Sequence, residues 1–294
     1  ACDSVFPLFV EDGLELRAPE IPDLLYQGSK DGFSVSFWTR MLFSCLVDAD
    51  FLATEEFMNG CERERAGSHS LQELCAALEE KLNSFYPPKT LLNIKRCAIL
   101  DRCKEAASGK KGFYSLTTPT GGGKTLASMR FALHHASQSD HKIERIIYTI
   151  PYTSIIEQTA QVFRDYLGVD NVLEHHSGFD FDADELGTGT SSEKTKIMER
   201  LRLASENWDA PIVVTTNVQF FESLYSDKTS RCRKLHNLAN SVIVLDEAQM
   251  IPINQLRPCI EALKELVKHY GCTVLFCTAT QPALSSVFGE LDMV

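Results

Sequence analysis

The sequence predicts an α/β protein with a mostly parallel sheet, preceded by an all-α segment. From about Gly112 onward, short apolar β-branched runs alternate with longer amphipathic ones, the order expected of strands joined by crossover helices. The apolar runs lack in/out alternation, as expected when helices cover both faces of the sheet. No strand pattern interrupts roughly the first ninety residues.

The predicted strands are residues 113–116, 146–150, 212–215, 242–245 and 273–276, with helices over 126–136, 155–167, 194–203 and 255–269. Ahead of them, 33–57 and 71–85 have helical spacing, and Pro87-Pro88 closes the second. This part reads as the helical tail of another domain, joined to the α/β part by a linker near 89–96. Residues 180–192, acidic and rich in Gly, Ser and Thr, read as a loop.

A chain of 294 residues has room for about two domains. Its 44% hydrophobic and 23% charged residues are an ordinary globular composition. No apolar run approaches the roughly 20 residues that span a bilayer, and no basic-then-apolar signal opens the chain; no membrane partner and a cytoplasmic location are expected. The first residue is Ala1 rather than Met, so the chain is expected to be part of a longer polypeptide. None of the ten cysteines lies in a CxxC, and buried free thiols are expected, with Cys45, Cys272 and Cys277 in apolar contexts. The net charge of −11 argues against a surface that attracts nucleic acid everywhere. A local grip remains open: Lys228, Arg231, Arg233 and Lys234 form a basic cluster, while Asp180, Asp182, Asp184 and Glu185 gather acids. Either cluster also reads as a solvated loop.

Thr118-Pro119-Thr120-Gly121-Gly122-Gly123-Lys124-Thr125 lies between a predicted strand and a predicted helix. Glycines let the backbone curl so that successive amides point inward at phosphates, and the helix N-terminus adds its positive end. Lys124 can reach the β/γ-phosphates of ATP, and Thr125 can offer a hydroxyl to Mg²⁺. The run Val242-Ile-Val-Leu-Asp246-Glu247-Ala248-Gln249 brings two acids to the C-terminal end of a buried strand, where open α/β sheets bind ligands. Asp246 suits the Mg²⁺ shell, and Glu247 can orient or deprotonate an attacking water. Either run alone has a plain reading, as a Gly-rich turn or an acidic strand-end turn; their pairing favours a nucleotide site.

Thr278-Ala279-Thr280 follows the next strand and offers hydroxyls to couple the two carboxylates to nucleic acid. Pro151, Thr153 and Ser154 end one strand and open a helix; Thr215, Thr216 and Asn217 repeat that arrangement. Hydroxyls and free amides at a helix start can hold a backbone phosphate, which carries no base information, or can simply cap the helix.

In order, TPTGGGKT, YTIPYTSIIEQ, VVTTNVQF, LDEAQ and TAT resemble the motifs of superfamily 2 helicases over residues 112–282. Gln249, the Glu174-His175-His176-Ser177 run and the segment RMLFSCLVDAD at 40–50 are similar to the CRISPR-associated helicase–nuclease of type I systems, closest to the type I-C branch. That resemblance implies a RecA-like P-loop lobe at 96–294, a helical linker at 61–95, and at 1–60 the C-terminal part of an HD-type nuclease domain. It implies an ATP- and Mg²⁺-dependent, 3′-to-5′ single-stranded DNA translocase that degrades target DNA in antiviral defence. Its partner would be an RNA-guided multisubunit surveillance complex, and the protein itself a monomer. Gln249 would link the γ-phosphate to lobe closure. Asp50 would be the last ligand of a divalent transition metal in the nuclease, with Asp48 its neighbour; the alternative is that both are ordinary helix acids. His134-His135 and His175-His176 fall within the motor lobe and fit the nuclease poorly.

The chain departs from the family pattern in two ways. The second RecA-like lobe, whose arginine finger is worth about 10³–10⁵ in rate, is expected beyond Val294, so this part alone should hydrolyse ATP weakly. The Gln that reads adenine upstream of the P-loop in many relatives is missing from Asn93-Ile-Lys-Arg96. An RNA helicase, a DNA-repair motor or a non-catalytic nucleotide- and partner-binding module are the alternative readings.

Overall fold

The computed structural model describes residues 32–61, 64–65, 67, 69–119, 121–176, 191–250, 256–279 and 292–293, without the side chains of 191–194 and 292–293. The chain divides into two compact units, Ala1–Trp38 and Thr39–Val294. Of the first, the opening of helix α1 (Gly32–Asn59) is described.

In the second unit, Ser70 starts α2 (Leu71–Leu82) with a reciprocal cap. Its hydroxyl accepts from the Glu73 amide, and the Glu73 carboxylate accepts from the Ser70 amide at 2.7 Å. Thr90 caps α3 (Leu91–Ala106) by accepting from the Asn93 amide. This helix covers the stretch that reads as a linker in the sequence. Its buried positions, Cys97, Leu100 and Cys103, form too narrow a stripe among charged residues to announce a helix.

Seven strands follow: β1 (Phe113–Thr117), β2 (Arg145–Ile150), β3 (Val172–His175), β4 (Ile212–Thr216), β5 (Ser241–Asp246), β6 (Thr273–Thr278) and β7 (Asp292–Met293). They form one sheet in the order β3-β4-β2-β5-β6-β1-β7, with every pairing parallel. The connecting helices are α4 (Lys124–Ala136), α5 (Thr153–Leu167), α6 (Ser191–Asn207), α7 (Asn217–Tyr225), α8 (Thr229–Cys232) and α9 (Leu256–His269). Pro258 is tolerated in α9 because it falls in the first turn, where its missing amide would have no intrahelical partner.

The missing alternation in the strands has the expected cause. All six residues of β2 and of β6 are buried. On one face Tyr148, Val214, Val244 and Leu275 join a core with Leu78 of α2, Cys103 of α3, Phe131 of α4 and Phe163 of α5. Their strand neighbours Ile147, Val213, Ile243 and Val274 are equally buried, where α7 adjoins β2 and β4 and α9 adjoins β6. Helices α2 and α3 therefore share the core of the P-loop lobe. Among the described residues no helix is long and apolar enough to cross a membrane.

Candidate nucleotide-binding site

The parallel sheet sends every strand's C-terminal end to one edge, and the motif residues collect there. The ends of β1 and β5 carry the residues read as phosphate cradle and acids, that of β6 carries Thr278, read as coupling, and those of β2 and β4 carry the residues read as strand-gripping.

The loop after β1 is shaped by its glycines. Gly121 and Gly123 have φ of +80° and +84°, a region costly for any residue with a Cβ. Gly122 donates its amide to the Pro119 carbonyl at 3.0 Å, and a Cβ there would meet that oxygen at 2.9 Å. Gly123 is the N-cap of α4 and offers no side-chain cap, so the first amides of α4 stay available for an anion. Thr118 hydrogen-bonds through its amide to the Thr278 carbonyl at 3.1 Å, joining β1 to β6. The hydroxyls of Thr118 and Thr278 are buried and, among the described residues, have no hydrogen-bond partner. Thr125 lines the same cavity of about 340 Å³ with Lys124, Glu247 and Ala279. Thr120 and Thr280 lie outside the described residues.

Lys124 lies between the two acids. Its Nζ is 2.8 Å from Asp246 Oδ1 and donates a short hydrogen bond to Glu247 Oε1. Burial alone would lower the Lys124 pKa, but the hydrogen bonds it donates to Asp246 and Glu247 raise it above the ordinary lysine value. Burial raises the Asp246 carboxyl, and Lys124 only partly offsets this. Glu247 ends below the usual carboxylate range: burial raises it, but hydrogen bonds from Lys124 and Gln249 outweigh that. Gln249 Nε2 donates to Glu247 Oε2 at 2.5 Å. Glu247 has φ of +48°, a conformation that costs a residue with a side chain on the order of 1–3 kcal/mol. A triphosphate with Mg²⁺ fits this donor set. It matches a cationic amine, uncapped helix amides and two unpartnered hydroxyls to anionic oxygens, and a carboxylate to the metal.

On the other half of the edge, Pro151 precedes α5, whose N-cap Tyr152 makes no side-chain cap. Thr153 and Ser154 are exposed in the first turn. Thr216 caps α7 by accepting from the Gln219 amide at 3.1 Å. Thr215 is fully buried, and its hydroxyl donates to the His175 carbonyl. Asn217 is 5% exposed, and among the described residues neither its amide nitrogen nor its oxygen has a partner.

Several other sequence candidates have defined surroundings. Asp48 is buried: its carboxylate takes 2.7 Å contacts from Arg233 and accepts from Asn207 at 3.0 Å. Asp50 is exposed on α1, and among the described residues it belongs to no group of three or more metal-ligating side chains. The one such group described is Glu157, Glu174 and His176, where Arg164 already sits 3.0 Å from Glu174. His175 Nδ1 accepts from Trp208 Nε1, while His134 pairs with Glu79. The basic cluster at 228–234 is not a solvated loop throughout. Arg233 and Lys234 are 4% and 5% exposed because Asp48 and the Ser230 carbonyl hold them inside, and Arg231 pairs with Glu222. The acidic cluster at 180–185 lies outside the described residues. Cys272 and Cys277 are buried free thiols, whereas Cys45 is exposed on α1.

Two features escape sequence reasoning. Arg96 of α3 donates through Nε and Nη2 to the Gly121 carbonyl, at 3.0 and 2.8 Å. Arg130 of α4 is held by Glu79 of α2 at 2.6 and 2.9 Å and by Asp101 of α3 at 3.0 Å. Burial raises the Glu79 carboxyl, but Arg130, Lys104 and His134 carry it far below the usual range. No local pattern reports either contact, since each joins residues 25 or more positions apart.

A parallel sheet with a glycine loop after its first strand and paired acids after its fifth defines a P-loop nucleotide-binding lobe of RecA-like helicase fold. The sequence profile of the DEAD/DEAH box helicase family matches residues 99–287, and the chain belongs to that family. It is 32% identical over 180 residues to the CRISPR-associated nuclease/helicase Cas3 of Haloferax volcanii, covering 58% of this chain and 19% of that protein. Crystal structures of T. fusca Cas3 with ATP and with AMPPNP match the fold at a TM-score of 0.50 and 18% identity, over 74% of this chain and 23% of theirs. The chain thus spans about a fifth of the length of these relatives.

Proposed function

We propose that this chain is the nucleotide-binding motor lobe of an ATP-dependent single-stranded DNA translocase that acts with an HD-type nuclease in CRISPR interference. The observation that carries the reading is that Lys124, which lines one cavity with Glu247 behind an uncapped helix N-terminus, contacts both Asp246 and Glu247. Lys124 and the first amides of α4 bind the phosphates, and the unpartnered hydroxyls of Thr118 and Thr278 are available to them. Mg²⁺, held by Thr125 and Asp246, would neutralise phosphate charge. Glu247 orients the attacking water and accepts its proton, with Gln249 fixing the carboxylate.

The single strand runs over the α5 and α7 N-termini, held at its phosphates by Thr153, Ser154, Thr216 and the free amide of Asn217. Such contacts are independent of sequence, which lets a chain of net charge −11 hold DNA. We assign residues 1–60 to the end of the nuclease domain, 61–95 to a helical linker whose α2 packs into the lobe's core, and 96–294 to the motor lobe. Exposed Asp50 is the nuclease residue, binding a transition metal with ligands supplied elsewhere in the protein. We further assign an RNA-guided surveillance complex as partner, a monomeric state and a cytoplasmic location.

Lys124→Ala tests the site. Affinity for ATP with Mg²⁺, measured by calorimetry, should fall at least tenfold while the thermal midpoint is kept. Unchanged affinity refutes the assignment.

A further inference from the structure

The phosphate cavity has a neighbour. A second cavity of about 220 Å³ lies between α3 and the glycine loop, walled by Phe85, Leu100 and Leu126 and carrying the side chains of Asn93 and Arg96. Apart from the loop's own Gly123, Arg96 is the residue that lines both cavities. Its fork is fixed in place, because Nε and Nη2 share the Gly121 carbonyl. Among the described residues neither Arg96 Nη1 nor the Asn93 side-chain amide makes a hydrogen bond.

We propose that Asn93 and Arg96 read the nucleobase in this second cavity, so that the site takes guanosine triphosphate as well as adenosine triphosphate. The inference rests on the nucleotide reading of the first cavity and extends it to specificity. Apolar walls beside the loop suit a flat ring attached to a bound triphosphate, and the two polar side chains then decide which ring. Adenine shows a donor at N6 beside an acceptor at N7, which an asparagine amide matches with its own acceptor and donor. Guanine shows two acceptors, O6 and N7, which a guanidinium matches with two donors. A cavity with only an amide would favour adenine; one with only a guanidinium would favour guanine. Carrying both, this cavity satisfies either purine, whereas a pyrimidine offers its polar pair only on the Watson–Crick edge and fills the apolar walls with a single ring. Arg96 is bound to the loop that curls around the phosphates, so its position relative to the base is set by the same carbonyl that shapes the phosphate site.

The test is displacement of a fluorescent ATP analogue from the full chain by ATP, GTP and CTP in Mg²⁺. GTP should compete within tenfold of ATP, and CTP at least tenfold more weakly than either. Arg96→Ala should weaken GTP at least threefold more than ATP, and Asn93→Ala should do the reverse. Arg96→Lys keeps the charge but loses the fork, and should resemble Arg96→Ala for GTP; thermal midpoints check that each variant folds. GTP more than tenfold weaker than ATP in the unaltered chain overturns the proposal. So does Arg96→Ala that weakens both nucleotides equally, since Arg96 would then only brace the loop. ATP binding that depends on Lys124 while GTP is rejected sinks the base assignment alone; ATP binding indifferent to Lys124→Ala sinks the site.

Discussion

The Lys124 ammonium and the Asp246 carboxylate lie 2.8 Å apart at the sheet's C-terminal edge, although 122 positions separate them in the chain. Glu247 completes the group from the other side of the amine. On the proposed nucleotide reading, a triphosphate entering here draws Lys124 away from two carboxylates, which frees Asp246 for a metal and Glu247 for a water molecule. Binding and chemistry are then separable at Glu247. Glu247→Gln should leave ATP affinity within about threefold while lowering single-strand-stimulated hydrolysis about 10²–10⁴-fold. Single-turnover hydrolysis measured beside calorimetry checks this; an unchanged rate rules out Glu247 as the base.

Asp48 and Asp50 are neighbours in sequence and opposites in surroundings. Asp48→Ala removes the carboxylate that neutralises buried Arg233, and breaking a buried pair from one side costs about 3–5 kcal/mol. Asp50→Ala removes an exposed side chain and should change stability by less than about 0.5 kcal/mol. Urea unfolding of both variants distinguishes the anchor from the exposed acid. In a full-length protein the nuclease reading adds that Asp50→Ala abolishes DNA cleavage.

Asn217 carries a buried amide with no partner at either end among the described residues. An orphaned polar group costs about 1–3 kcal/mol in a folded protein, so Asn217→Ala should leave the thermal midpoint unchanged or higher. If the amide serves a strand phosphate, single-stranded DNA affinity should fall several-fold while the salt dependence of binding stays the same, since no charge is removed. Fluorescence anisotropy across a salt series would show both. Equal affinity removes Asn217 from the grip.

Two histidines make the fold sensitive to acid. Burial lowers the His135 pKa to about 4, helped by the charge of His141. Burial, with the charge of Lys234, lowers His175 to about 3. The ordinary value is about 6.5, so between these limits the unfolded chain binds protons that the folded chain refuses. Stability therefore falls as pH drops from about 6.5, by about 2 kcal/mol per histidine by pH 4.5. Urea midpoints at pH 7.0, 6.0, 5.0 and 4.5 should decline steadily, and a flat series would contradict the burial of these rings.

The sheet was legible because its strands are continuous apolar runs, and runs such as those around Tyr148 and Val244 are buried on both faces. The candidate site was legible because glycine loops and strand-end acids are local patterns, and the fold brings Lys124, Asp246 and Glu247 together. β3 escaped because two of its four residues are Glu174 and His175, so no apolar run marks it. α3 hides its narrow stripe among lysines and arginines. Asp48 looked like either a metal ligand or a solvated acid because its partner Arg233 lies 185 positions away. Sequence periodicity reports which face of an element is buried, and says nothing of which charge waits there.

The left-handed backbone at Glu247 sets stability against turnover at one position. A glycine there would relax the turn and firm up the fold, yet would delete the carboxylate that we propose takes the water's proton. Selection for heat resistance alone would thus erode this position early and leave a sturdier lobe that still grips nucleotide without spending it.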